Sequence, residues 1–222
     1  MLKPRKRISK KQLKEDKLVT FYFKASSWLQ DHTRVLTLGL AALVVVIVGA
    51  TLYGNSRRSS EQAASVELAR ATRAYESKDY QNALTLLSNL VDSHGSTRSG
   101  KLGRLYLGQT FLLTNDYDNA QLHFEKFISS YKDESYLTAA AMKGVAACLE
   151  QKGDYAGAAD YYQRAVKKYP KSILAPQLLL RAARCHALTD QRDQARALYD
   201  RIVADYPESQ ERDQALMLKS ML

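Results

Sequence analysis

The chain has 222 residues and a formal net charge of +10, with 45% hydrophobic and 25% charged residues. Two cysteines, Cys148 and Cys185, are too few for a disulfide scaffold, and no Cys/His spacing suggests a metal site. Ten Gly and four Pro, with Ala, Leu and Tyr abundant and no strand-like alternation, point to an all-helical protein.

The charge is unevenly placed. Residues 1–34 hold ten Lys or Arg against three acids, while residues 55–222 carry only a small excess. This excludes a nucleic-acid-binding role spread over the whole chain. Within the arm, Leu18, Phe21, Tyr22, Ala25, Trp28 and Leu29 recur at spacings of three and four, which predicts an amphipathic helix over 12–30. Lys10, Lys11, Lys14, Lys17 and Lys24 flank it, and Trp28 suits the headgroup level. The arm is expected to grip anionic lipid and set topology, with docking onto a ribosome or membrane partner as the alternative.

Residues 35–54, Val35 to Gly54, hold no charge. As a helix these residues rise about 30 Å, the thickness of a bilayer's hydrocarbon core. The stretch is expected to be a transmembrane helix with the basic arm in the cytoplasm. Only Arg57 and Arg58 lie close on the far flank. A buried core helix is one alternative. A cleavable signal peptide is the other, with Val48-Gly49-Ala50 as a loose cleavage site, although the apolar run exceeds the usual length.

Residues 55–222 repeat. Tyr155, Ala158, Tyr162, Ala165 and Pro170 set a frame that recurs at Tyr80-Ala83-Leu87-Leu90, Tyr117-Ala120-Phe124-Phe127 and Arg192-Ala195-Tyr199-Ile202-Pro207. The step is 37, 38 and 37 residues. Ala71, Gly108, Ala146 and Ala183 hold the small-residue position of the preceding helices. Asp79, Asp116 and Asp154 stand where a helix start needs an acceptor for its free amides. A helix opening near Ser59–Gln62, with a capping box, is expected to begin the first copy almost directly after the span.

These frames resemble tetratricopeptide repeats, without that family's Trp and with Pro in the last two copies only. The resemblance implies an all-α fold: one transmembrane helix, then an α-solenoid of about four hairpins and a capping helix. The repeats are placed at about 64–98, 101–135, 139–173 and 176–209, with the cap at 210–222. The joins Tyr169-Pro170-Lys171-Ser172 and Tyr206-Pro207-Glu208-Ser209 resemble those of bacterial cell-envelope proteins, such as outer-membrane assembly lipoproteins and the cell-division coordinator. The whole layout is similar to the ancillary subunit of the SecYEG translocon: basic arm, one span, exported repeats. That likeness implies a bacterial inner-membrane protein with a periplasmic domain.

No Gly-x-Ser-x-Gly, P-loop or His-Glu-x-x-His is present, so no catalytic residue, cofactor or small-molecule substrate is expected. The resemblance implies a concave groove lined by the first helices. It places there Leu68, Thr72 and Tyr75; Leu105, Gln109 and Leu112; Lys143, Ala147 and Gln151; and Leu180, Arg184 and Leu188. Leucines beside Lys143 and Arg184 suit a partly apolar partner chain with acidic or carboxylate groups, though several of these leucines equally fit inter-repeat packing. Expected partners are exported chains, translocon or envelope subunits, and membrane lipid. The alternatives are a scaffold for an envelope or division complex, and a ribosome- or nucleic-acid-binding arm. Cys148 and Cys185 occupy one register of successive copies. Packed helices lie about 8–10 Å apart and a disulfide needs roughly 4.4–6.8 Å, so two free, packed thiols are expected.

Overall fold

A computed structural model describes residues 10–131 and 135–222, with side chains from residue 19 onward. The described residues are helical, and the chain divides into two compact units, residues 1–56 and 57–222.

In the first unit, α1 spans Lys10–Asp31 and α2 begins at Thr33. Lys10, Lys11, Lys14 and Lys17 fall on α1, but their side chains lie outside the described residues. Lys24 is exposed, and the Trp28 ring stacks on His32 with centroids 4.8 Å apart. Of the apolar stripe of α1, Phe21, Tyr22, Trp28 and Leu29 are exposed, Phe21 and Tyr22 most of all, and Ala25 is half-buried; the Leu18 side chain lies outside the described residues. α2 is the one helix among the described residues that is long and apolar enough to cross a membrane, by length and composition. Its apolar window is not buried inside the protein, which leaves no support for the core-helix alternative.

α2 runs to Glu76, so no helix starts near Ser59. This corrects the expected capping box: with helical residues on both sides, Ser59 has no free amide to cap. Glu61 caps a different helix. Its Oε2 accepts the Arg98 backbone N–H at 2.7 Å, and its Oε1 accepts the Ser99 N–H at 3.0 Å. These are the first amides of α4, Arg98–Leu113.

The second unit is a stack of hairpins. The end of α2 pairs with α3, Tyr80–His94, through Ala71, Ala74, Ala83 and Leu87. Next come α4 with α5, Tyr117–Ser130; α6, Ser135–Gln151, with α7, Tyr155–Lys168; and α8, Ala175–Leu188, with α9, Arg192–Asp205. α10, Glu211–Ser220, packs on α8 and α9 through Ala215. The four repeating frames fall on α3, α5, α7 and α9, with Pro170 and Pro207 just beyond the last two; their Ala, Leu, Phe and Ile positions are buried with Tyr162 and Tyr199, while the leading Tyr80, Tyr117 and Tyr155 are half-buried.

Small residues set how closely the helices approach. A Cβ on Gly108 would lie 3.0 Å from the Phe124 ring, and one on Gly144 would lie 2.5 Å from its other edge. Phe124 therefore wedges between α4 and α6 with a glycine on each side. Of the two, only Gly108 stands at the expected small-residue position.

The turns inside the hairpins repeat as strictly as the cores. Lys78, Asn115, Gly153 and Asp190 all have positive φ, between 59° and 82°. In each turn the following amide reaches back to the carbonyl five residues earlier, as Asp79 N–H to Ala74 O at 3.0 Å and Gln191 N–H to His186 O at 2.8 Å. This left-handed residue closes the first helix. The Asp79, Asp116 and Asp154 carboxylates then accept from Asn82, Asn119 and Gly157, so the expected caps are present. The fourth turn has Gln191 in that place, without a side-chain cap bond.

Candidate functional site

The first helices of neighbouring repeats lie side by side, and α4 touches α6 directly. Between α2, α4 and α6 they enclose an open groove of 620 Å³. Of the expected groove residues, Leu68, Thr72, Leu105 and Gln109 line it. Leu102, Tyr106, Tyr136 and Leu137 complete its apolar wall. The sequence reading missed these four. Leu102 and Tyr106 follow the signal already in hand, since each lies three residues from an expected position of α4 and so shares its face. Tyr136 and Leu137 stand seven and six residues, about two turns, ahead of Lys143 on α6, where the repeat pattern offers no marker.

The other expected residues are dispersed. Leu180 is 6% exposed in a buried cluster, and even Leu105, which lines the groove, is 4% exposed, so packing holds both first. Tyr75 turns into an aromatic cluster, with Tyr80 and Tyr106 ring centroids at 6.1 and 5.5 Å. Burial there pushes its phenol above the ordinary range. Leu112 packs against the core of the second and third repeats, Ala147 is half-buried, and Gln151 is exposed. Leu188 is 64% exposed at the last turn of α8, and Arg184 is exposed one turn earlier.

Lys143 is the electrostatic feature of this face. It is half-buried on α6, and its Nζ donates to Gln177 Oε1 on α8 at 3.3 Å. Burial lowers its ammonium pKa, and nearby Arg181 lowers it further. Arg181 in turn contacts Glu150 Oε2 at 3.5 Å, which also accepts the Tyr162 hydroxyl at 2.8 Å. Glu150 thus ties α6, α7 and α8 together. It answers Arg181, and Lys143 keeps a neutral amide oxygen as its partner. From α2 to α8 this face changes from apolar and aromatic to cationic. Such a surface can hold an extended or helical segment by apolar contact at one end and by charge at the other.

A sequence-family model for the tetratricopeptide repeat-like domain matches residues 26–220. The chain belongs to the tetratricopeptide repeat-like family. No curated protein matches its sequence. Among solved structures it is similar to the MamA protein, at 14% identity and a TM-score of 0.58, over 71% of this chain and 81% of that one. It is equally similar to a Podospora anserina protein of kinesin-light-chain type with nearly identical TPR-like repeats, at 15% identity, 71% and 83% coverage and a TM-score of 0.58. At these identities the likeness shows the tetratricopeptide fold alone. The fold is that of a protein-interaction module.

Two further features concern chemistry. Cys148 and Cys185 are both free and buried, and burial pushes each thiol up to about 11. No group of His, Cys, Asp and Glu that could hold a metal occurs among the described residues.

Proposed function

We propose that this tetratricopeptide protein is a membrane-anchored binding module of the bacterial cell envelope. The apolar run holds it in the inner membrane, the basic arm stays in the cytoplasm, and the repeats stand in the periplasm. There the groove holds segments of newly exported chains, close to the translocon. The anchor works by raising local concentration, so that a weak and reversible groove suffices.

The observation that carries this reading is the graded groove. Leu102, Leu105, Tyr106, Tyr136 and Leu137 offer an apolar wall, and Lys143, three residues beyond the lining Ala140 on α6, adds a charge whose partner among the described residues is the Gln177 amide oxygen. An unfolded chain with apolar stretches and scattered acids fits that surface, and a free C-terminal carboxylate fits the Lys143 end. The charge bias of residues 1–34 supports the orientation.

The test is photocrosslinking in intact membranes from a reactive group at Gln109, followed by mass spectrometry. Many exported chains together with translocon subunits are the expected products. A single dominant envelope protein would replace this reading with a dedicated scaffold. Crosslinks confined to cytoplasmic proteins would reverse the topology.

A further inference from the structure

A recess separate from the groove opens between the second helices of the second and third repeats, α5 and α7. Its open volume is 670 Å³. Ile128 on α5, Met142 on α6 and Tyr161 on α7 form its apolar part, and Met142 is only 5% exposed. Arg164, Lys167 and Lys168 of α7 line it as well.

The charges of this recess are not equivalent. The Arg164 guanidinium lies 4.8 Å from the centre of the Tyr161 ring and contacts Asp160 Oδ2 at 3.4 Å, so it is already engaged. Glu125, the one carboxylate in the lining, accepts from Gln121 at 2.9 Å. Lys168 sets its ammonium over the Tyr169 ring, 5.3 Å from the centre. Among the described residues, neither Lys167 nor Lys168 is in ion-pair contact with a carboxylate. Both stand in the last turn of α7, where cations suit the free carbonyls of a helix end. The fold does not require them for that purpose. The matching positions are Asp92-Ser93 in α3, Ser129-Ser130 in α5 and Ala204-Asp205 in α9, with no lysine at any of them. The lysine pair belongs to the third repeat alone, at the edge of an apolar recess.

We infer that the recess docks an acidic segment of another protein, with apolar side chains on Ile128, Met142 and Tyr161 and carboxylates on Lys167 and Lys168. Charge complementarity selects this partner. A nucleic acid needs a row of cations for its phosphates, whereas Glu125 and Asp160 stand beside the two lysines and interrupt such a row. A helix with an apolar stripe bordered by acids presents both kinds of group at once. The site lies wholly within the repeats, so it stands whether or not the chain is anchored or exported. Its lining shares no residue with that of the groove between α2, α4 and α6, so one chain can hold a resident acidic partner and a transient segment together.

The full chain in a mild nonionic detergent provides the test, titrated into a fluorescent helical peptide with a leucine stripe bordered by glutamates and one photoreactive leucine. Adducts are expected on residues 125–129 and 161–168. An exposed ion pair contributes up to about fivefold in affinity, so Lys167→Gln, Lys168→Gln is expected to weaken the peptide by roughly tenfold. Ser129→Trp fills the recess from an exposed position and leaves both lysines in place, and is expected to weaken it at least as much. Lys143→Met should leave these adducts unchanged, which separates the recess from the groove. Unchanged affinity in either recess variant would overturn the inference. So would adducts confined to residues 102–109 and 136–143, or equal affinity for the same peptide with glutamines in place of its glutamates. A single-stranded oligonucleotide that displaces the peptide at lower concentration than unlabelled peptide does would replace the acidic segment with a polyphosphate.

Discussion

Lys78 carries the least favourable backbone of the four turn residues. Asn115, Gly153 and Asp190 belong to types that tolerate positive φ, and Lys78 has φ 63° with a full side chain. Lys78→Gly should stabilise the domain by about 0.5–1 kcal/mol, the relief of strain outweighing the freedom glycine gains when unfolded. Urea denaturation at neutral pH measures this, and a lower midpoint would contradict it. Gly144 predicts the reverse. A methyl there would meet the Phe124 ring at 2.5 Å, and Gly108 leaves the ring nowhere to retreat. Gly144→Ala should cost about 1–3 kcal/mol, and Phe124→Leu in the same chain should recover part of the loss. The thiols set an alkaline limit. Their folded values of about 11 stand above the ordinary 9.0, so their contribution to stability is complete below pH 9 and is lost between pH 9 and 11. Buried Tyr162 and Tyr199 act in the same direction at still higher pH. Unfolding free energies measured across that window should fall, and the pair Cys148→Ala, Cys185→Ala should make the fall shallower.

At the scale of elements, the second helices were plain in the sequence. Ala83-Leu87-Leu90 and its three counterparts obey a spacing that only a buried helical face requires, and all of them are buried. The three Asp caps were equally plain, because an acid before a helix start has a local purpose. Glu61 was not. Its partners stand 37 and 38 residues away, and nothing in its own neighbourhood announces them. The Ser59–Gln62 stretch has the composition of a helix start, yet apolar and helix-favouring residues on both sides carry the helix through it. The groove was half legible for the same reason. A register transferred from the repeat pattern finds Leu68, Thr72, Leu105 and Gln109, but burial by the next repeat, which removes Leu180, depends on partners the register does not encode. Glu61→Ala should cost about 1–2 kcal/mol and speed hydrogen exchange at residues 98–101 before other segments, while Glu61→Gln should retain part of the protection.

In the molecule as a whole, stability and binding compete at Lys143. Burial disfavours its charged form and lowers its pKa, and the charge it sets beside the groove is met among the described residues by the Gln177 amide oxygen. Lys143→Met should therefore raise the melting temperature while weakening an acidic, apolar-rich peptide by roughly tenfold or more. A variant that loses stability and binding together would mean that Lys143 serves packing alone. Because each hairpin leans on its neighbours, local damage should also spread unevenly. Removing residues 210–222 uncovers the α8 and α9 surfaces under Ala215, and hydrogen exchange there should rise well before that of α3 and α4.

The two hidden thiols have a consequence for how the chain is made. Were the repeats exported as proposed, the chain would reach an oxidising compartment unfolded, with Cys148 and Cys185 bare and reactive. Residues of the second and third repeats cover Cys148, and the third and fourth cover Cys185, so both are sealed only once the C-terminal half has folded. Folding speed at the C-terminal half thus becomes a race against thiol oxidation. A slow-folding variant would be caught as a disulfide-linked species that the finished protein, with both sulfurs sealed, cannot form.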